Sequence, residues 1–429
     1  MNSQLLKKVR VIDPVADTDT NVDVLLVDGF IQAIAPNIDT IDQDPEIINC
    51  EGLILGSGLV DLYSHSGEPG FEERETINTL LKASANGGFT RVALLPDTKP
   101  KVDNPAIVSQ LVSQSRKLKV DLNSQDLSNS LPNLFFWGAL TQETNGQHMT
   151  ELADLAGAGI VGFCDGQPLE NLSLLKRLLE YLQPLNRPVA LWCCDRSLTN
   201  NGVMRECADS IRFGLPGNPG ISETSAIASL LELVTDTGTP VHIMRVSTAR
   251  SVEIIADAKL KGLPITASTT WMHLLLDTKA IHSYNQSLRL QPPLGTNEDL
   301  QALQKAVKTG VIDAIAVEHA PYTYEEKMVA FATAPPGAIG FELALPLLWE
   351  NLVETGKLTA LELWRSLSSN PARCLQQQVS KIETLQKAEL VLFSPKKTWK
   401  VGSKNLSTLS RNTPWLGKEV TGRVLRIWC

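Results

Sequence analysis

Residues 58–104 read GLVDLYSHSGEPGFEERETINTLLKASANGGFTRVALLPDTKPKVDN. The apolar run Gly58–Leu62 suits a strand and passes into Asp61, Tyr63 and His65 at its polar tip. Gly67, Pro69 and Gly70 make a turn, and acidic residues then open a helix-like segment. Ala83–Gly88 ends that segment with small residues and two glycines, and Arg91–Leu95 begins a second apolar run. Strand, polar tip, helix, strand is a βα unit with its chemistry at the strand's C-terminal end. In a (β/α)8 barrel that end faces the active site.

The same alternation continues outward. Eight β-rich runs can be counted: Gly58–Leu62, Arg91–Leu95, Leu134–Leu140, Gly159–Phe163, Pro188–Leu191, Pro240–Val246, Pro264–Thr270 and Asp313–Val317. Helical patterns such as Leu174–Leu182, Glu223–Val234 and Asp299–Val307 separate them, with a further helix over Leu358–Ser368. The expected class is α/β, a TIM barrel over residues 55–375. Residues 1–54 and 376–429 read instead as short strands, with Asp28-Gly29 as a hairpin signal. Both ends are expected to meet in one small flanking β-sandwich. The polar segment Lys117–Pro132 reads as a surface loop.

A net charge of −8 disfavours a nucleic-acid surface. No apolar run approaches the roughly 20 residues that span a bilayer, and the start MNSQLLKKVRVIDP lacks the apolar length of a secretory signal. Seven scattered cysteines suggest reduced thiols in the cytoplasm.

The opening stretch also resembles the first βα unit of the dihydroorotase family of cyclic amidohydrolases. Glu68-Pro69-Gly70, Glu75-Thr76, Ala85, Gly87-Gly88-Phe89-Thr90, Pro96 and Thr98 match that family's pattern, and the resemblance extends to Thr413-Pro414-Trp415, Gly417 and Gly422. It implies an amidohydrolase-type barrel with a flanking β domain, zinc as cofactor and hydrolysis of a cyclic amide. Several reactive positions depart from it. Tyr63 stands where a metal-binding histidine belongs, Gly67 where an arginine holds the substrate, and Asp97 where the family has asparagine. Trp192 and Arg245 replace the histidines of the fifth and sixth strands.

Indole offers no lone pair to a metal, and guanidinium is always protonated. His65 and Asp165 remain as candidate ligands, fewer than the three or so protein ligands of a catalytic zinc. Glu318 occupies the base position of the eighth strand, one methylene longer than the family's aspartate. The expectation is a barrel that has lost its metal centre, with Arg245 pairing both Asp165 and Glu318 while Tyr63 and Trp192 fill the vacated volume. Cys164, Cys193 and Cys194 fall near strand tips and with His65 contain the donors of a soft metal site, although cysteine is also a common small core residue. His242 and His319 read as structural.

The functional expectation is therefore a dihydroorotase homologue without hydrolysis, structural or regulatory. The resemblance implies aspartate carbamoyltransferase as its partner, and a homo-oligomer is expected. The alternatives are an active cyclic amidohydrolase with a remodelled site, and a sensor that binds an anion at Arg245.

Overall fold

A computed structural model describes residues 3–39, 45–125 and 130–429. Eight parallel strands form the barrel. Leu59–Ser64, Phe89–Leu94, Asn133–Gly138 and Gly162–Phe163 make one half, and Ala190–Trp192, Val241–Met244, Ile265–Thr270 and Ala314–Ala316 the other. Each of the eight expected runs contains or overlaps one of them. A parallel bridge from Phe163 to Val189 joins the halves. The ring closes at the seam of first and eighth strands, where Val317 N donates to Asp61 Oδ1 at 2.8 Å and His65 N to His319 O at 2.8 Å.

The helices cover the outside because their apolar stripes recur at helical spacing. In Leu172–Leu182 the buried residues are Leu174, Leu175, Leu178, Leu179 and Leu182. Helix Ile77–Asn86, after the first strand, starts at a capping box in which Thr76 accepts from Thr79 N, and ends at Gly87. The expected loop over 117–132 begins instead as helix, since Pro105–Gln125 is one continuous element. Pro at its first turn and the spaced Ile107, Val108, Leu111 and Val112 favour that helix. Residues 126–129 lie outside the described residues.

Both chain ends build one seven-stranded sheet. Ser3–Asp13 pairs with Thr18–Val27 and, in parallel, with Glu46–Asn49 and Ile54–Ser57. Leu390–Lys400 pairs antiparallel with Ile54–Ser57 and with Glu419–Trp428. The hairpin at Asp28-Gly29 has φ of 48° and 80°, the left-handed pair that a tight two-residue turn requires. This sheet encloses a core of its own, including Leu6, Val24, Ile31, Leu55, Leu390 and Trp428. Ile54–Ser57 runs directly into the first barrel strand, so the β domain sets where that strand starts.

Candidate functional site: the barrel mouth

The strand tips converge on Arg245. It is 3% exposed, and its Nε lies 2.5 Å from Glu318 Oε1, a close ion pair without a linear hydrogen bond. Its Nη1 donates to Gly166 O at 3.0 Å. The guanidinium carbon stands 4.7 Å over the Trp192 ring and 5.8 Å from the Tyr63 ring. One cation thus touches residues from the first, fourth, fifth and eighth strands. Arg245 and Glu318 both have left-handed backbones, with φ of 58° and 51°. Such conformations cost a non-glycine residue about 1–2 kcal/mol and require surrounding structure to hold them. Burial pushes the Glu318 carboxyl up from its ordinary value, and Arg245 and His65 oppose that shift without reversing it.

Tyr63 is fully buried beneath this pair. Its hydroxyl lies 2.8 Å from Ser268 Oγ and accepts from Arg245 N at 3.1 Å. Ser268 Oγ in turn meets His242 Nε2 at 2.8 Å, and His242 Nδ1 meets Thr266 Oγ1 at 2.8 Å. Burial lowers His242 to about 3, so the ring is neutral and its role is structural. Burial also raises the Tyr63 phenol, which removes it further from phenolate and metal ligation.

Asp165 does not meet Arg245, contrary to expectation. Its carboxylate accepts from Leu140 N at 2.7 Å, Thr141 N at 3.0 Å and Thr141 Oγ1 at 2.6 Å. These three donors hold it against the loop after the third strand. Burial still raises it to about 6. Cys164 packs its thiol 3.4 Å from Met244 Sδ inside the barrel, and burial raises it to about 12. Cys193 and Cys194 line a different cavity, between the helices after the fourth and fifth strands. The three thiols therefore do not join His65 in a soft metal site.

His65 Nδ1 lies 2.5 Å from Asp97 Oδ2. Burial alone would raise the Asp97 carboxyl, but His65 beside it, together with the Lys101 ammonium, outweighs burial and holds the group below its usual range. At Gly67 an added Cβ would lie 2.3 Å from Glu75 O and 2.5 Å from Phe71 O, so no arginine fits on this backbone. The mouth encloses a cavity of about 110 Å³. Sequence reasoning missed several of its walls: Gln167, Trp271, His273, Gln291 and Tyr322. His273 bonds Thr270 Oγ1 at 2.7 Å, and burial lowers it to about 4.

The donors present do not fit a catalytic zinc. Among the described residues, no group of three or more His, Cys, Asp or Glu is placed to hold a metal ion. The carboxylate at the base position already faces a fixed cation, and His65 faces Asp97.

A (β/α)8 barrel with a flanking sheet built from both chain ends is the amidohydrolase fold. The L-hydantoinase of Arthrobacter aurescens shares it with a TM-score of 0.83 at 19% identity, over 100% of this chain and 97% of that one. A model described as Dihydro-orotase-like matches residues 52–251, and an Amidohydrolase family model matches 223–428. The chain is 43% identical to a probable dihydroorotase-like protein of Synechocystis, over 99% of both chains. It is 36% identical to a dihydroorotase of Syntrophus aciditrophicus, over 98% of this chain and 96% of that one. The chain belongs to the dihydroorotase-like family of amidohydrolases. Among the described residues, no helix is long and apolar enough to cross a membrane.

Proposed function

We propose that this chain is a non-catalytic member of its family in the cytoplasm, with a structural or regulatory role beside pyrimidine biosynthesis. The buried Arg245–Glu318 pair carries that reading. A general base must be free to take a proton, and Glu318 instead faces a permanent cation. A metal that activates water needs an open coordination position beside about three protein ligands, and Arg245, Trp192 and Tyr63 offer none. Zinc content and turnover between carbamoyl-aspartate and dihydroorotate, assayed in both directions on the purified chain, test the proposal. Absence of both is expected; stoichiometric zinc with turnover overturns it.

As a scaffold, the chain would assemble with itself and with aspartate carbamoyltransferase. The support is family membership together with a retained fold from which the catalytic donors are missing. Sizing chromatography of a mixture at micromolar concentration should give one joint peak, and separate elution would remove the partner from the proposal.

A further inference from the structure

Helices Leu172–Leu182 and Ile221–Thr237 pack against each other, and a cavity of about 410 Å³ lies between their N-terminal halves and the end of the fifth strand. Leu175, Leu191 and Leu230 line it and are buried, while Leu172 at its rim is 46% exposed. Trp192 lines both this cavity and the mouth. Burial raises the Cys193 and Cys194 thiols, Cys194 to about 11, so both stay protonated and add weakly polar surface to the same wall. A leucine-lined cavity of about 150 Å³ is enough to hold benzene. This one is more than twice that size and falls within the range of about 300–1,000 Å³ of small-molecule sites.

Its polar groups select among ligands. Ser225 Oγ donates to Ile221 O at 2.7 Å and Ser229 Oγ to Ser225 O at 3.0 Å. Each hydroxyl has spent its proton on its own helix and keeps lone pairs for a ligand. Two charged residues line the cavity, Glu170 and Asp195. Both are acidic, and they accept from Arg196 N at 2.8 Å and Ser197 N at 2.9 Å. Carboxylates there and hydroxyl acceptors on the helix disfavour an anion and suit a donor. A full charge of either sign would lose its hydration against the leucines. We infer that this cavity binds an uncharged molecule of one or two rings, apolar apart from a single N–H or O–H donor. The inference goes beyond the reading of the mouth and stands whether or not the chain turns over a substrate.

Saturation-transfer NMR on the full chain tests it with indole and benzoate at millimolar concentration. Indole should show transfer and benzoate none. Ser229→Phe places a ring in the cavity from a half-buried helix position and should weaken indole about tenfold or more. If that variant fails to fold, Ala226→Phe fills the same space from the next turn. Alkylation of the half-buried Cys194 by iodoacetamide gives a second readout on the wild type, and indole should slow it. Silence from indole overturns the inference, as does benzoate binding as tightly as indole. Unchanged affinity in the filled variants, with no protection of Cys194, would place indole elsewhere and overturn it too. So would self-association that Ser229→Phe abolishes while indole stays silent, which would give the cavity to a second copy of the chain.

Discussion

Two polar regions flank the first barrel strand, and they have diverged unequally from the family pattern. At the seam, Asp61, Glu75 and His319 are all fully buried, and Glu75 matches it. Asp61 accepts from Val317 N at 2.8 Å and Ser64 Oγ at 2.5 Å. Ser64 Oγ accepts from His319 N at 2.9 Å, and His319 Nδ1 from Gly340 N at 3.1 Å. Glu75 accepts from Thr408 Oγ1 and from Leu409 N, tying the first helix to the C-terminal segment. At the mouth, Tyr63, Trp192 and Arg245 all depart from the pattern. Side chains that satisfy backbone groups stay under selection for folding when chemistry changes. On the non-catalytic reading proposed above, those that only held a metal do not, and the space they leave has to be refilled.

The largest expected effect breaks the mouth's pairing. Arg245→Ala leaves Glu318 facing a void without its cation, and should lower stability by about 3–5 kcal/mol. The double change Arg245→Met with Glu318→Gln should recover most of that loss in urea unfolding. If the double variant is as unstable as the single, the pair is not what stabilises the mouth.

The next concerns the seam's flank. Burial pushes Glu342, beside Glu75, up to about 7 from 4.5, despite Ser407 N donating at 2.9 Å. A folded value above the unfolded one means stability that is full below about pH 4.5 and lost as pH rises through about 7. Glu342→Gln keeps an acceptor for Ser407 and removes the charge. It should gain about 3 kcal/mol over the wild type near pH 8 and nothing near pH 4. Melting curves across that range check it, and parallel curves for the two proteins would contradict it.

The smallest effect sharpens the contrast within the mouth. Tyr63→Phe keeps the ring but removes the hydroxyl that Ser268 and Arg245 N share. A loss of about 1–2 kcal/mol is expected from the buried groups left unpaired. A neutral result in chemical denaturation would reduce Tyr63 to a space-filler.

Much of this was legible in the residues. Strand periodicity located all eight barrel strands, and residue chemistry alone ruled Trp192 and Arg245 out as ligands. The pairing of Arg245 with Glu318 also followed, because a buried carboxylate needs a cation. Asp165 was misjudged because its partners are two backbone N–H groups and a threonine hydroxyl, donors that any loop can present and no motif advertises. The closed space at Gly67 depends on how the chain folds back at Phe71 and Glu75, which sequence does not display. The helix through residue 125 was hidden by its polar composition, which is that of a solvated helix face as well as of a loop.

The reach of Arg245 across four strand tips also bears on the history of this barrel. Exchanging it first for histidine strands Glu318 without a counter-charge. Exchanging Trp192 first removes the aromatic face beneath the guanidinium, and exchanging Tyr63 first removes the acceptor for the Arg245 amide. On the non-catalytic reading proposed above, every opening move toward a metal centre therefore weakens the chain before any ion can be gripped, and the change behaves as an evolutionary ratchet.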